Sequence, residues 1–144
     1  MLDVNIMAFF VKEKKKILLV DDSEIDLALA EFILQDKYEI ITTKSGKEAL
    51  ENLLRGPIPD LVLLDLIMPN MDGWETFNRI KAVSCLRGVP IAFLTSEHGI
   101  AEQNHAREIG AADYILKPYK KSELFKRIKD ILIKNPAKEQ SAVR

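Results

Sequence analysis

The chain has 144 residues, 30% of them charged and 47% hydrophobic, and a formal net charge of -1 at pH 7. That length suits one domain that buries about two-thirds of its unfolded surface, and so small a net charge argues against a protein that coats nucleic acid or membrane surfaces. Cys85 is the only cysteine, which excludes an intramolecular disulfide and a thiolate-rich metal site and fits a reducing cytoplasm.

The first apolar run, Val4 to Val11 (VNIMAFFV), is eight residues long, against the roughly twenty that a membrane span needs. Lys12, Lys14, Lys15 and Lys16 follow it, whereas a signal peptide carries its positive charge ahead of the apolar core. Residues 1–15 are therefore expected to be an extension ahead of the fold, without regular structure. Ile17 to Val20 then reads as a buried strand that ends in two adjacent acids, Asp21 and Asp22. Ser23 is placed to cap a helix, with Asp26 three residues on in the position that closes a capping box. Ile25, Ala28, Leu29, Phe32 and Ile33 keep the spacing of one apolar stripe, which predicts the buried face of that helix.

Tyr38 to Thr43 (YEIITT) is β-branched and alternating, as an edge strand should be. Ser45 to Arg55 makes a second helix, stopped by Gly56 and Pro57. Leu61 to Leu66 is another continuous apolar strand, and it contains Asp65. After it, PNMDG reads as a turn in which Pro69 supplies fixed and Gly73 permissive backbone angles. Trp74, Phe77 and Ile80 anchor a third helix, and Pro90 to Thr95 a fourth strand. The polar segment Ile100 to Gly110 is a helix with little to hold it, expected to be the loosest. Tyr114 to Leu116 is the last strand, followed by Lys117. Leu124, Ile128 and Ile131 mark a strong final helix, and Pro136 opens a tail or linker stub over 136–144. The folded domain is thus read as 16–135.

Strands and helices alternate over short connections, and the strands at 17, 61 and 90 are apolar on both faces. A parallel sheet covered by helices on both sides requires that. The fold class is α/β, a (βα)5 doubly wound parallel five-stranded sheet. Ligands of such sheets bind at the carboxyl ends of the strands. There the sequence places Asp21 and Asp22, Asp65, Thr95 with Ser96, and Lys117, on four separate strands. Strand two ends in nothing as distinctive, which follows if it lies on the far side of strand one.

Each of these residues alone has a plainer role, as a helix cap, a structural hydroxyl or a solvated lysine. Their convergence at one level is harder to explain that way. Two carboxylates about 4 Å apart repel by roughly 4 kcal/mol at an effective dielectric near 20, and one lysine offsets only part of that. A divalent cation is the natural complement. An all-oxygen set favours Mg²⁺, with Mn²⁺ as the alternative, over zinc. His98 and His105 end no strand and are read as surface residues.

The stretches ILLVDDSE, DLVLLDLIMPNMDGWE, PIAFLTS and ADYILKPY, in this order and spacing, resemble the receiver domain of bacterial two-component response regulators. The resemblance covers residues 16 to about 134. It implies a flavodoxin-like, CheY-like sheet of order 2-1-3-4-5. It also implies that Asp65 is the phosphoacceptor, taking a phosphoryl group from a phosphohistidine. Asp22, Asp65 and the backbone carbonyl of Ile67 match the Mg²⁺ ligands, and Asp21 the acid that helps to hold the ion. Lys117 matches the lysine that pairs first with the acceptor and then with the phosphoryl group. Thr95 and Tyr114 match the switch pair, and Lys117–Pro118 a peptide bond that is usually cis. The implied partners are a sensor histidine kinase or histidine phosphotransfer protein and an unnamed output target, without direct contact to nucleic acid or membrane. The implied form is a monomer or a phosphorylation-dependent dimer, in the cytoplasm.

Other readings of such a rim fare less well. A cation-dependent phosphatase of small molecules needs a second catalytic acid beside the nucleophile and a lid, and neither is visible. A flavin-binding relative wants a small-residue phosphate loop where DDSEID stands. An interaction module that has lost phosphorylation would not keep the whole polar set. One departure from the best-known relatives has a consequence: residue 67, two past the acceptor, is an isoleucine instead of an amide or a charged side chain. An apolar group there is expected to hinder water and lengthen the phosphorylated lifetime.

Overall fold

Strand β1, Lys16–Val20, is apolar from Ile17 onward because it lies in the middle of the sheet, covered on both faces. The computed structural model describes residues 13–136, so the expectations for 1–12 and 137–144 lie outside the described residues. Within them, Lys15 is already tied to the sheet, its carbonyl accepting the Glu39 N–H at 2.9 Å. In chain order follow α1 (Glu24–Leu34), β2 (Glu39–Thr43), α2 (Gly46–Arg55), β3 (Leu61–Leu64) and α3 (Gly73–Ala82). A short turn of 3₁₀ helix leads to β4 (Ile91–Thr95), α4 (Ile100–Glu108), β5 (Asp113–Leu116) and α5 (Lys121–Lys134).

All pairings are parallel, and the strand order is β2-β1-β3-β4-β5. The predicted α/β class, five helices and sheet order are therefore what the chain forms. Alternate residues of each strand feed two cores. Leu18, Val20, Val62, Leu64 and Phe93 pack with Ala49, Leu53, Phe77 and Ile80 on the α2 and α3 side. Ile17, Leu19, Leu61, Leu63 and Ile115 pack with Leu34, Leu124 and Ile128 on the α1 and α5 side. The chain order reverses between β1 and β3, which opens the crevice at the carboxyl edge where such sheets bind ligands.

The face that α1 buries is not the predicted one. Leu27, Ala30 and Leu34 are buried, while Ile25 is 80%, Leu29 51% and Phe32 72% exposed. The helix is apolar on two sides, so spacing identified a genuine stripe but could not say which stripe meets the sheet. Leu27, Ala30 and Leu34 obey the same helical rule one phase round.

The PNMDG turn also works differently from its expected form. Gly73 does not carry the left-handed backbone; Asn70 does, at φ 69°. What Gly73 supplies is room, because a Cβ there would sit 2.3 Å from the Asp65 carbonyl oxygen and 2.7 Å from the Leu66 Cα. Its N–H donates to the Leu66 carbonyl at 2.8 Å, which brings the start of α3 against the end of β3. Asp72 caps the helix, accepting the Glu75 N–H at 2.9 Å. At the end of α4, Gly110 takes φ 89°, a conformation that costs glycine little and stops the helix. Ala106 is the one buried residue of α4, in keeping with its polar sequence.

Candidate functional site

The sheet register sets the site's level. The Asp65 N–H donates to the Val20 carbonyl at 2.9 Å, and the Lys117 N–H to the Thr95 carbonyl at 2.8 Å. Each bond extends the parallel ladder by one step past the strand ends. Asp21 is fixed in the same way, its N–H donating to the Thr43 carbonyl at 3.1 Å. Asp21, Asp65, Thr95 and Lys117 thus leave their strands side by side. Thr43, at the end of β2, donates its hydroxyl to the Leu19 carbonyl and turns away from the cluster.

One carboxylate oxygen from each of Asp21, Asp22 and Asp65 lies within 4.8 Å of the other two. Asp21 is buried and Asp22 exposed, so the cluster opens to solvent on the Asp22 side. Lys117 enters from β5. Its Nζ lies 2.5 Å from Asp21 Oδ2, 2.9 Å from Asp26 Oδ2 and 3.5 Å from Asp65 Oδ2. The predicted Lys117–Asp65 pair is present, but it is the longest of the three. Burial works against the Lys117 charge, yet its bonds to Asp21 and Asp26 and the charge of Asp65 more than compensate and hold its pKa above the ordinary lysine value.

Asp65 is under the opposite stress. Its burial pushes the carboxyl pKa above the ordinary range, the Lys117 charge pulls it back, and the negative charge of Asp21 raises it again. The Leu66 N–H donates to Oδ1 at 2.7 Å and supports the ionised form. A carboxylate held ionised in so acidic a setting favours a positive ion beside it. Three acids without nitrogen or sulfur donors fit a hard divalent cation.

Thr95 is fully buried, and its Oγ1 accepts the Glu97 N–H at 3.2 Å. Tyr114 donates its hydroxyl to the Glu97 carbonyl at 2.7 Å. The two predicted switch residues are therefore joined through the backbone of Glu97, a link no side-chain pattern could announce. Burial and the charges of Glu97, Glu102 and Asp65 push the Tyr114 pKa up to about 12. Its ring lies 6.1 Å from that of Phe93, which meets Trp74 at 4.9 Å, and Trp74 in turn meets His105 of α4 at 4.6 Å. Trp74 is thus part of the packing, and His105, exposed as expected, closes the chain of rings. Ile67 stands in the loop after β3 with its side chain 64% exposed. The Lys117–Pro118 peptide is cis.

Asp26 is the site residue that the sequence reading assigned elsewhere. Ser23 does cap α1, accepting the Asp26 N–H at 3.2 Å. The other half of the capping box is missing, because the Ser23 N–H donates to Asp21 Oδ1 at 2.9 Å. The Asp26 carboxylate is thereby released to Lys117, a charged and stronger partner. The available signal was its place in the first turn of α1, directly after the strand end that carries Asp21 and Asp22.

A doubly wound sheet with three acids, a buried threonine and a lysine at its carboxyl edge fits a phosphoryl-accepting signalling switch. Residues 17–129 match the model of the response regulator receiver domain, and the chain belongs to that family. Over 126 residues it is 41% identical to a protein of Vibrio cholerae serotype O1 described as a probable cyclic di-GMP phosphodiesterase, covering 81% of this chain and 28% of that one. Chemotaxis protein CheY4 of Vibrio cholerae superposes with a TM-score of 0.77 at 30% identity, over 83% of this chain and all (100%) of that one. The Mn²⁺-bound form of response regulator Rcp1 superposes with a TM-score of 0.69 at 31% identity, over 82% and 91%. The chain spans from 28% to 48% of the length of the first curated relatives it matches.

Proposed function

We propose that Asp65 is the acceptor of this switch and takes its phosphoryl group from a phosphohistidine of a sensor kinase or phosphotransfer protein. An Asp65 oxygen forms the new bond to phosphorus as the phosphorus–nitrogen bond breaks, and the histidine leaves as imidazole. Water later attacks the acyl phosphate and releases inorganic phosphate. Mg²⁺, or Mn²⁺ in its place, held by Asp22, Asp65 and the Ile67 carbonyl with help from Asp21, would neutralise charge as the phosphoryl group approaches. Phosphoryl transfer depends chiefly on such positioning and neutralisation. Lys117 pairs with the phosphoryl oxygens, and Thr95 donates its hydroxyl to one of them. Thr95 then gives up Glu97, which frees Tyr114 to move and alters the face made by α4, β5 and α5. The chain is no conventional enzyme in this reading, because it catalyses only its own phosphorylation and dephosphorylation.

The observation that carries the proposal is the buried Asp65 carboxylate, 3.5 Å from Lys117 and clustered with Asp21 and Asp22. The donor's docking site is assigned to α1. Ile25, Leu29 and Phe32 are apolar and exposed there, and a groove of about 420 Å³ between Leu29, Ile33 and Tyr119 reaches Lys117. The output partner is a protein that reads the α4–β5–α5 face, and dimerisation through that face is the alternative use of it. The reading places the chain in the cytoplasm, and among the described residues no helix is long and apolar enough to cross a membrane. Acetyl phosphate with Mg²⁺, followed by intact mass, tests the central claim. One added phosphoryl group is expected on the wild type and none on Asp65→Asn. No addition, or equal labelling of the variant, would overturn it.

A further inference from the structure

Lys117 has three N–H donors and three carboxylates within reach, and the nearest two are Asp21 and Asp26. Only Asp26 stands outside the acids whose oxygens cluster for a cation. A cation among Asp21, Asp22 and Asp65 competes with Lys117 for two of its three partners and repels the ammonium. Asp26 is the partner that remains. Its backbone is fixed by the Ser23 cap, and its side chain is 40% exposed while that of Lys117 is only 14% exposed. Asp26 therefore keeps its place at the mouth of the rim whichever ion Asp21 serves.

Resting on the cation site assigned above, we propose that Asp26 is a positioning residue for Lys117. It draws the ammonium to the α1 side of the rim, so that Asp21 and Asp65 can turn their charge to the cation. Without it, the ammonium stays on those two acids and the cation has to displace it. The predicted signature is a loss of cation affinity that depends on Lys117.

Calorimetric titration of the full chain with MgCl₂ alone tests this without any phosphodonor. Asp26→Asn is expected to weaken binding about tenfold, within the range that coupled neighbours show, and Asp26→Glu to recover most of the loss. In a Lys117→Met background the same Asp26→Asn change should cost less than about twofold, because there is no ammonium left to place. An equal loss in both backgrounds would mean that Asp26 acts only as a distant charge, and it would overturn the proposal. So would unchanged affinity in Asp26→Asn. A wild type that binds no Mg²⁺ would sink the cation site itself, a different failure from that of Asp26.

Discussion

At the residue scale, the site's tension lies in Asp65. Burial raises its pKa, Lys117 pulls it back and Asp21 raises it again, so the fold works against the carboxylate's charge. Asn keeps the shape and removes the charge. Asp65→Asn is therefore expected to raise the thermal midpoint in cation-free buffer, by roughly 2–4 °C if the relief approaches 1 kcal/mol. The sign follows from proton binding: a folded-state pKa above the unfolded value means that stability falls as pH rises through the folded value. The gain should shrink on lowering the pH or adding Mg²⁺, and a variant melting below wild type in cation-free buffer would refute the idea. Exposed Ile67, two residues past Asp65, makes a second prediction: on the proposed reading its apolar side chain hinders the water that would cleave an acyl phosphate. Phosphate release should be several-fold faster in Ile67→Asn; an equal or slower rate would dismiss the role. Asp21, Asp22, Asp65, Thr95 and Lys117 were legible because strand ends in a parallel sheet all arrive at one edge. Asp26 was not, because its backbone serves the cap while its side chain serves the site.

At the scale of elements, α1 shows what periodicity cannot decide. An apolar residue on a helix lowers the free energy by meeting the sheet, yet α1 has apolar residues to spare on two sides. The sheet takes Leu27, Ala30 and Leu34, and solvent is left with Ile25, Leu29 and Phe32. The two faces should part company under mutation. Leu34→Ala removes a fully buried side chain and is expected to cost about 2–5 kcal/mol in urea denaturation. Phe32→Ser should stay within about 0.5 kcal/mol, leave labelling by acetyl phosphate unchanged, and slow phosphotransfer from a histidine donor. Equal effects of both substitutions on stability would mean that the exposed face is not free. Turn chemistry hid a similar choice: Asn70 takes the positive φ and Gly73 the close approach, although either residue could have served the first purpose.

At the scale of the molecule, alternation of apolar strands and helices foretold the layers, and the strand ends foretold the edge where the polar side chains gather. What no local pattern held is how tightly the two cores sequester polar groups along their margins. All three tyrosines sit there. Burial raises the pKa of Tyr38, and burial with the charges of Asp26 and Asp21 that of Tyr119 against the opposing Lys117 charge. Tyr114 is pushed up to about 12, and Lys117 is raised as well. Above the ordinary tyrosine value the unfolded chain has lost these protons while the folded chain keeps them. The unfolded state then binds fewer protons, so stability declines as pH rises. Their contribution is complete below about pH 10 and is lost as the pH passes through the folded values. Lys81, whose pKa burial lowers, acts in the opposite sense, but it stands alone against these four and Lys44, whose pKa the bond to Glu24 also raises. The urea midpoint is therefore expected to drop steadily between about pH 10 and 12. The decline should be shallower in Tyr114→Phe, because that ring has no proton to keep. A flat midpoint over this range, or an equal slope in the variant, would show that the margin of the core is wetter than its geometry indicates.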